Sequence, residues 1–306
     1  AIDQLRLSFD RQSLIALNAV IGLMMYGMAL DLRLADFKRV LRSPRGPLIG
    51  LCAQFLLLPA LTFGLTLLLP ITPSMALGMM LVAACPGGNL SNVMTYLGGG
   101  NTALSISMTA VSTAAAVLLT PLNLSLWGGL NPATAPILTE VQLSPLDVLV
   151  TIGLILGLPL VAGLLTSRFY PRLVERIRKP FKVLSVLVFL GFVGLALGAN
   201  WEAFLQVIAL VAGGVLVHNA LALATGYSAA LALGLPRADR RAVSIEVGIQ
   251  NSALALVLIF DYFDGLGGMA IVAGWWGIWH IVSGLSLALF WSRLPGPARA
   301  ARGAEA

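Results

Sequence analysis

The chain has 306 residues, 58% of them hydrophobic and 10% charged, with 32 glycines and a formal net charge of +6. A soluble domain carries roughly a quarter charged residues, so this composition excludes a water-exposed globular surface. The apolar residues come in long blocks, and the ~10-residue alternation of a membrane β-barrel is absent, which leaves an all-α integral membrane protein.

Apolar runs set against Gly, Pro and charged breaks predict nine transmembrane helices. The first covers 12–30 and approaches the ~20 residues that cross hydrocarbon as a helix. It follows a start at Ala1 in which no cleavable signal peptide is expected. Arg33, Lys38, Arg39, Arg42 and Arg45 separate it from the second span, 46–69, which carries a lone amide, Gln54, before Pro59. The third span, 74–98, contains Cys85-Pro86-Gly87-Gly88-Asn89-Leu90-Ser91-Asn92. Proline removes a backbone donor and the two glycines add flexibility, so this helix is expected to break. In the fourth span, 101–128, Ser105 and Thr109 stand at i and i+4 on one face, while Ser112 and Thr113 read as helix-to-helix hydrogen bonders.

The fifth and sixth spans, 146–166 and 181–199, flank Arg168, Arg172, Arg176, Arg178, Lys179 and Lys182. The seventh, 203–233, holds His218, and the ninth, 268–292, holds His280; each reads as a hydrogen-bonded packing residue. The eighth, 237–263, opens on Arg237, Arg240 and Arg241 and is interrupted by Glu246-Val247-Gly248-Ile249-Gln250-Asn251-Ser252. The tail, 293–306, adds Arg293, Arg299 and Arg302.

Apart from Arg6 and Arg11 near the N-terminus, all of the 19 Lys and Arg fall on one set of helix ends. The opposite loops carry acids: Glu140, Glu202, Asp261 and Asp264. The positive-inside rule then puts the C-terminus in the cytoplasm and the N-terminus outside, across the inner (plasma) membrane. An odd number of spans requires the same arrangement. The basic pI is thereby explained as topology, which removes the argument for nucleic acid. Cys52 and Cys85 lie inside spans, and no Cys/His cluster has metal-ligand spacing.

Spans 1 to 4 and spans 6 to 9 both read whole, whole, broken, whole, and the charges start them on opposite sides. Paired broken helices in inverted halves point to a transporter's binding site. Between the breaks lies the sequence's sharpest anomaly. Of 13 acids only Glu246 sits well within a span, and no Lys or Arg lies at mid-depth to pair with it. An ionised carboxylate there needs a proton or a bound cation. Gln54, Ser91, Asn92, Ser105, Thr109, Gln250 and Asn251 are oxygen donors, which suit a hard cation.

At these residues the sequence resembles the bile acid:sodium symporter family. The resemblance rests on Cys85 to Gly88, Ser91 to Leu97, Asn101 to Thr113 and Glu246 to Ser252, with weaker matches at Gln54, His218-Asn219 and Trp279-His280 before Ser283-Gly284. It implies an inverted-repeat fold with two crossing broken helices, a core domain (46–128 and 203–292) and a panel domain (12–30, 146–166 and 181–199). It also implies two Na⁺ sites: Ser91, Asn92, Ser105, Thr109 and Glu246 for the first, and Gln54, Glu246, Gln250 and backbone oxygens of Val247 and Ile249 for the second. The activity implied is Na⁺-coupled symport of a small organic anion, met by Asn89, Asn251 and His280. Two departures bear on the substrate: Asn89 stands where members commonly carry Thr or Ser, and Ile281 follows His280 where Asn is common. Two other readings remain open at this stage. One is a proton-coupled transporter of the same fold; the other is a membrane enzyme pairing Glu246 with His280 or Cys85 with His218, although no G-x-S-x-G or H-E-x-x-H motif occurs.

Overall fold

The computed structural model describes residues 22–27, 29–88, 90–141, 145–199 and 201–294, together with Asp3 and Ala19. Most of the expected first span, Asn89 and the tail beyond Leu294 lie outside the described residues. In chain order the helices are α1 (Leu34–Arg42), α2 (Arg45–Leu68), α3 (Pro73–Ala84), α4 (Leu90–Leu97), α5 (Thr102–Leu130), α6 (Ala135–Val141), α7 (145–169), α8 (Pro171–Ala199), α9 (Trp201–Ala232), α10 (Arg237–Gly248), α11 (Ser252–Tyr262) and α12 (Gly267–Arg293).

Among the described residues five helices are long and apolar enough to cross a membrane. These are α2, α5, Leu149–Phe169 in α7, Val211–Ala232 in α9, and α12. They fall on five of the expected uninterrupted spans. The two expected interruptions are both present, as the gaps between α3 and α4 and between α10 and α11. Two basic runs expected between spans are helical instead: Lys38, Arg39 and Arg42 lie in α1, and Pro171 starts α8 ten residues before the expected span, since proline suits a first helical position. α10 opens at Arg237, the expected start of the eighth span.

α3 and α11 have 12 and 11 residues, about half of what a crossing needs. Both are apolar on every face, and such a helix is stable only inside a bundle. Every residue of α3 after Pro73 and of α11 as far as Phe260 is buried. α3 packs on α12 and α5, and α11 packs on α12. The apolar window of α7 is only 22% buried, against 50% for α5 and for α12, so α7 runs along the outside.

Two helices carry a π-helical turn, Ala53–Leu57 in α2 and Gly153–Gly157 in α7. The cause is local. Pro59 and Pro159 each lack an N–H, and each ring would strike the carbonyl four residues back, at Phe55 and Ile155. Widening the helix for one turn relieves that contact. In α2 the widened turn contains Gln54, which is 1% exposed and faces the interior.

Candidate cation site at the paired helix breaks

A helix break strands backbone donors and acceptors that the next turn would have met. Here the two breaks satisfy each other. The Gly88 N–H donates to the Ile249 carbonyl at 2.5 Å and the Asn251 N–H donates to the Pro86 carbonyl at 2.9 Å. Gly87 and Gln250 thereby form an isolated antiparallel bridge. Glycine is required for this approach. A Cβ on Gly87 would stand 2.3 Å from Oε1 of Glu246, and one on Gly88 would stand 2.9 Å from the Gln250 carbonyl. Beyond the second break, the Asn251 side chain accepts from the Leu254 N–H at 3.1 Å and caps α11; Asn101 caps α5 in the same way through the Leu104 N–H.

Glu246, near the end of α10, is 1% exposed. Its Oε2 accepts from the Ser91 hydroxyl at 2.6 Å and the Ser105 hydroxyl at 3.0 Å, and its Oε1 accepts from the Thr109 hydroxyl at 2.6 Å. The Asn92 side-chain oxygen lies within reach of two of the same hydroxyls, Ser105 at 2.9 Å and Thr109 at 3.3 Å. A hydroxyl has one proton to give. Ser105 and Thr109 can each satisfy only one acceptor at a time, so the cluster holds more lone pairs than protons. Among the described residues no Lys, Arg or His stands within ion-pair distance of Glu246. Nor do the described residues contain three or more His, Cys, Asp or Glu placed to hold a metal together. One carboxylate ringed by neutral oxygens suits a hard cation of low charge and is a poor match for a transition metal.

The second expected group is assembled only in part. The Gln54 amide donates to the Cys85 carbonyl and to Oε1 of Gln250, both at 2.8 Å, and its own Oε1 is buried without a partner. The Gln250 amide donates to the Val247 carbonyl at 2.6 Å, while the Ile249 carbonyl is taken by Gly88. Glu246 makes no hydrogen bond to Gln54 or Gln250. Its three bonds all go to the first group.

Of the expected substrate contacts, Asn89 lies outside the described residues. Asn251 uses its oxygen as the cap and turns its amide toward the sulfur of Met25 at 3.4 Å. His280 is 6% exposed, with Nδ1 unpartnered. His218 is a packing residue as expected: its Nε2 meets the Thr62 hydroxyl at 2.8 Å and its ring lies 4.6 Å from that of Trp276. Ser112 and Thr113 both donate back to the Thr109 carbonyl within α5.

Two contributors are additional to the expected set. The Thr95 hydroxyl donates to Ser105 at 3.3 Å; it stands four residues after Ser91, so the face they share was readable as a spacing. Asn219 donates to the Gly248 carbonyl at 2.8 Å and accepts from Ser283, which fastens the frayed end of α10 to α9 and α12.

The profile of the Sodium Bile acid symporter family matches residues 18–207, more than half of the chain. The chain belongs to the sodium bile acid symporter family. Its similarity to curated members of this kind extends past that match. An uncharacterised sodium-dependent transporter of Bacillus subtilis, YocS, is 34% identical over 273 residues, covering 89% of this chain and 82% of that protein. A contiguous stretch that long has to include both breaks. Two chloroplastic proteins named as probable sodium/metabolite cotransporters are also similar, BASS2 of Oryza sativa subsp. japonica at 32% identity over 91% of this chain and BASS1 of Arabidopsis thaliana at 33% over 88%. The chain spans 64% and 65% of the length of those two proteins.

Proposed function

We propose that this chain moves a small organic anion across the cytoplasmic (inner) membrane, driven by Na⁺ held between the two broken helices. Sodium-coupled secondary transport follows from the family, whose members resemble this chain across nearly all of its length. The observation that carries the site is the proton shortage around Glu246. Three hydroxyls converge on a buried carboxylate that has no basic partner among the described residues, and the Asn92 amide oxygen competes for two of them. Na⁺ would be held by Ser91, Asn92, Ser105, Thr109 and Glu246, and a second Na⁺ by Gln54, Gln250, Glu246 and the Val247 and Ile249 carbonyls.

The cycle follows from charge. With Na⁺ present the carboxylate is neutralised, and α4, α5 and α10 are drawn to a common centre. The N-terminal ends of α4 and α11 then turn the positive ends of their dipoles to the crossing, which favours an anion. Asn251 and His280 supply polar contacts to it. The core helices shift against 12–30, 146–166 and 181–199, opening the site to each side in turn. Each net positive charge carried inward gains about 2.3 kcal/mol per 100 mV of membrane potential. Proton coupling at the same carboxylate is the competing reading. The gathering of neutral oxygens disfavours it, because a proton needs one base where Na⁺ needs a shell.

Uptake of a panel of labelled organic acids into proteoliposomes, with and without an inward Na⁺ gradient, tests the proposal. Na⁺ should stimulate uptake of at least one acid, and Glu246→Ala should abolish the stimulation. Uptake that follows a pH gradient and ignores Na⁺ would transfer the carboxylate to a proton.

A further inference from the structure

Arg241 opens on no solvent, and among the described residues it meets no carboxylate. It is 4% exposed, one Nη donates to the Gly98 carbonyl at 2.7 Å, the other is buried without a partner, and the guanidinium lies 5.7 Å from the centre of the Trp291 ring. A buried guanidinium with one hydrogen bond and no counter-ion among the described residues is a poor device for stability alone. What it joins is informative. Gly98 follows directly on α4, and Arg241 lies on α10, so the bond ties the helix that carries Ser91 and Asn92 to the helix that carries Glu246. Three residues after Gly98, the Asn101 N–H donates to the Ala238 carbonyl at 3.0 Å and the Asn101 amide donates to Asp239 at 2.8 Å. Asn101 caps α5, whose next two turns carry Ser105 and Thr109.

We infer that Arg241 and the Asn101–Asp239 pair form a clamp that positions the oxygen cluster and so sets its affinity for Na⁺. The three helices supplying the first cluster are fastened at one end, and Glu246 lies five residues from Arg241, ~7.5 Å along α10. Of the clamp residues only Asn101 meets a cluster residue, its backbone carbonyl accepting from the Ser105 N–H at 3.0 Å. Loosening the clamp lets α4 and α5 drift from α10, and a cluster that depends on hydroxyls at 2.6–3.0 Å from one carboxylate loses its fit first. The inference rests on the sodium reading of that cluster.

The test needs no organic substrate. Purified full-length protein in detergent is unfolded thermally while NaCl replaces KCl at constant ionic strength, and the Na⁺ concentration giving half-maximal protection is read. Arg241→Gln and Asp239→Ala should each raise that concentration roughly five- to twenty-fold, with Arg241→Lys in between. Variants that unfold cooperatively and keep the midpoint within about two-fold of the unaltered protein would overturn the clamp. Asp239→Ala decides alone if Arg241→Gln does not fold. Absence of Na⁺ protection in the unaltered protein would instead overturn the sodium reading, and the clamp with it.

Discussion

Glu246 is the residue on which the proposed sodium site turns, and Gly87 is the residue that makes room for it. The ideal Cβ position at Gly87 falls 2.3 Å from the carboxylate oxygen, with the Glu246 carboxyl carbon at 2.9 Å. Neither can give way easily, because three hydroxyls and a backbone bridge fix them. Gly87→Ala is therefore expected to cost about 1–3 kcal/mol of stability as an overpacked site. It should also weaken Na⁺ protection more than a matched Gly64→Ala, where an added methyl meets open space. Equal Na⁺ midpoints for the two variants would show that the bridge does not shape the cluster. At this scale the sequence was informative because the cost of an unpaired acid in hydrocarbon is intrinsic to the residue. Which oxygen faced which was not legible. That Ser105 is shared between Glu246 and Asn92 depends on α10, 141 residues on from Ser105 at Glu246, crossing the consecutive helices α4 and α5.

Helix α2 shows how an element delivers a side chain. Its π-helical turn follows from Pro59, and the extra residue in that turn changes the face on which Gln54 appears. Gln54 reaches the Cys85 carbonyl at the first break and Gln250 at the second, so it bridges both interruptions with one amide. Gln54→Ala should raise the Na⁺ concentration for half-maximal uptake while leaving the maximal rate within about two-fold, the pattern of lost ground-state binding. An unchanged Na⁺ requirement would remove Gln54 from the second site. The interruptions themselves were readable from Pro86-Gly87-Gly88 and from the polar run after Glu246. The start of α8 was not. Its basic residues are read as loop by composition, whereas Pro171 fixes where a helix can begin.

Across the whole molecule, the charge asymmetry assigns each loop to a side, and chemical labelling can check it. In a Cys52→Ser, Cys85→Ser background, a membrane-impermeant thiol reagent applied to intact cells should modify Glu140→Cys and leave Arg172→Cys unmodified until the membrane is permeabilised. Labelling of both positions in intact cells would refute the assigned orientation. The packing is consistent with a bundle in lipid: α7 is mostly exposed along its apolar window, while α3 and α11 are enclosed.

By itself the sequence determined the class of protein, the places where its helices fail and the one acid that needs a counter-charge. Those properties follow from hydrophobicity, backbone covalency and the cost of burying charge, all of which act locally. Only the tertiary structure decided that the two failures pair through Gly88–Ile249 and Pro86–Asn251. It also decided that Gln54 spans them, and that Arg241 leaves the basic surface to hold the end of α4. Apart from Gln54–Cys85, these contacts join residues about 140 to 200 positions apart, and no local periodicity encodes which stranded backbone group will find which partner.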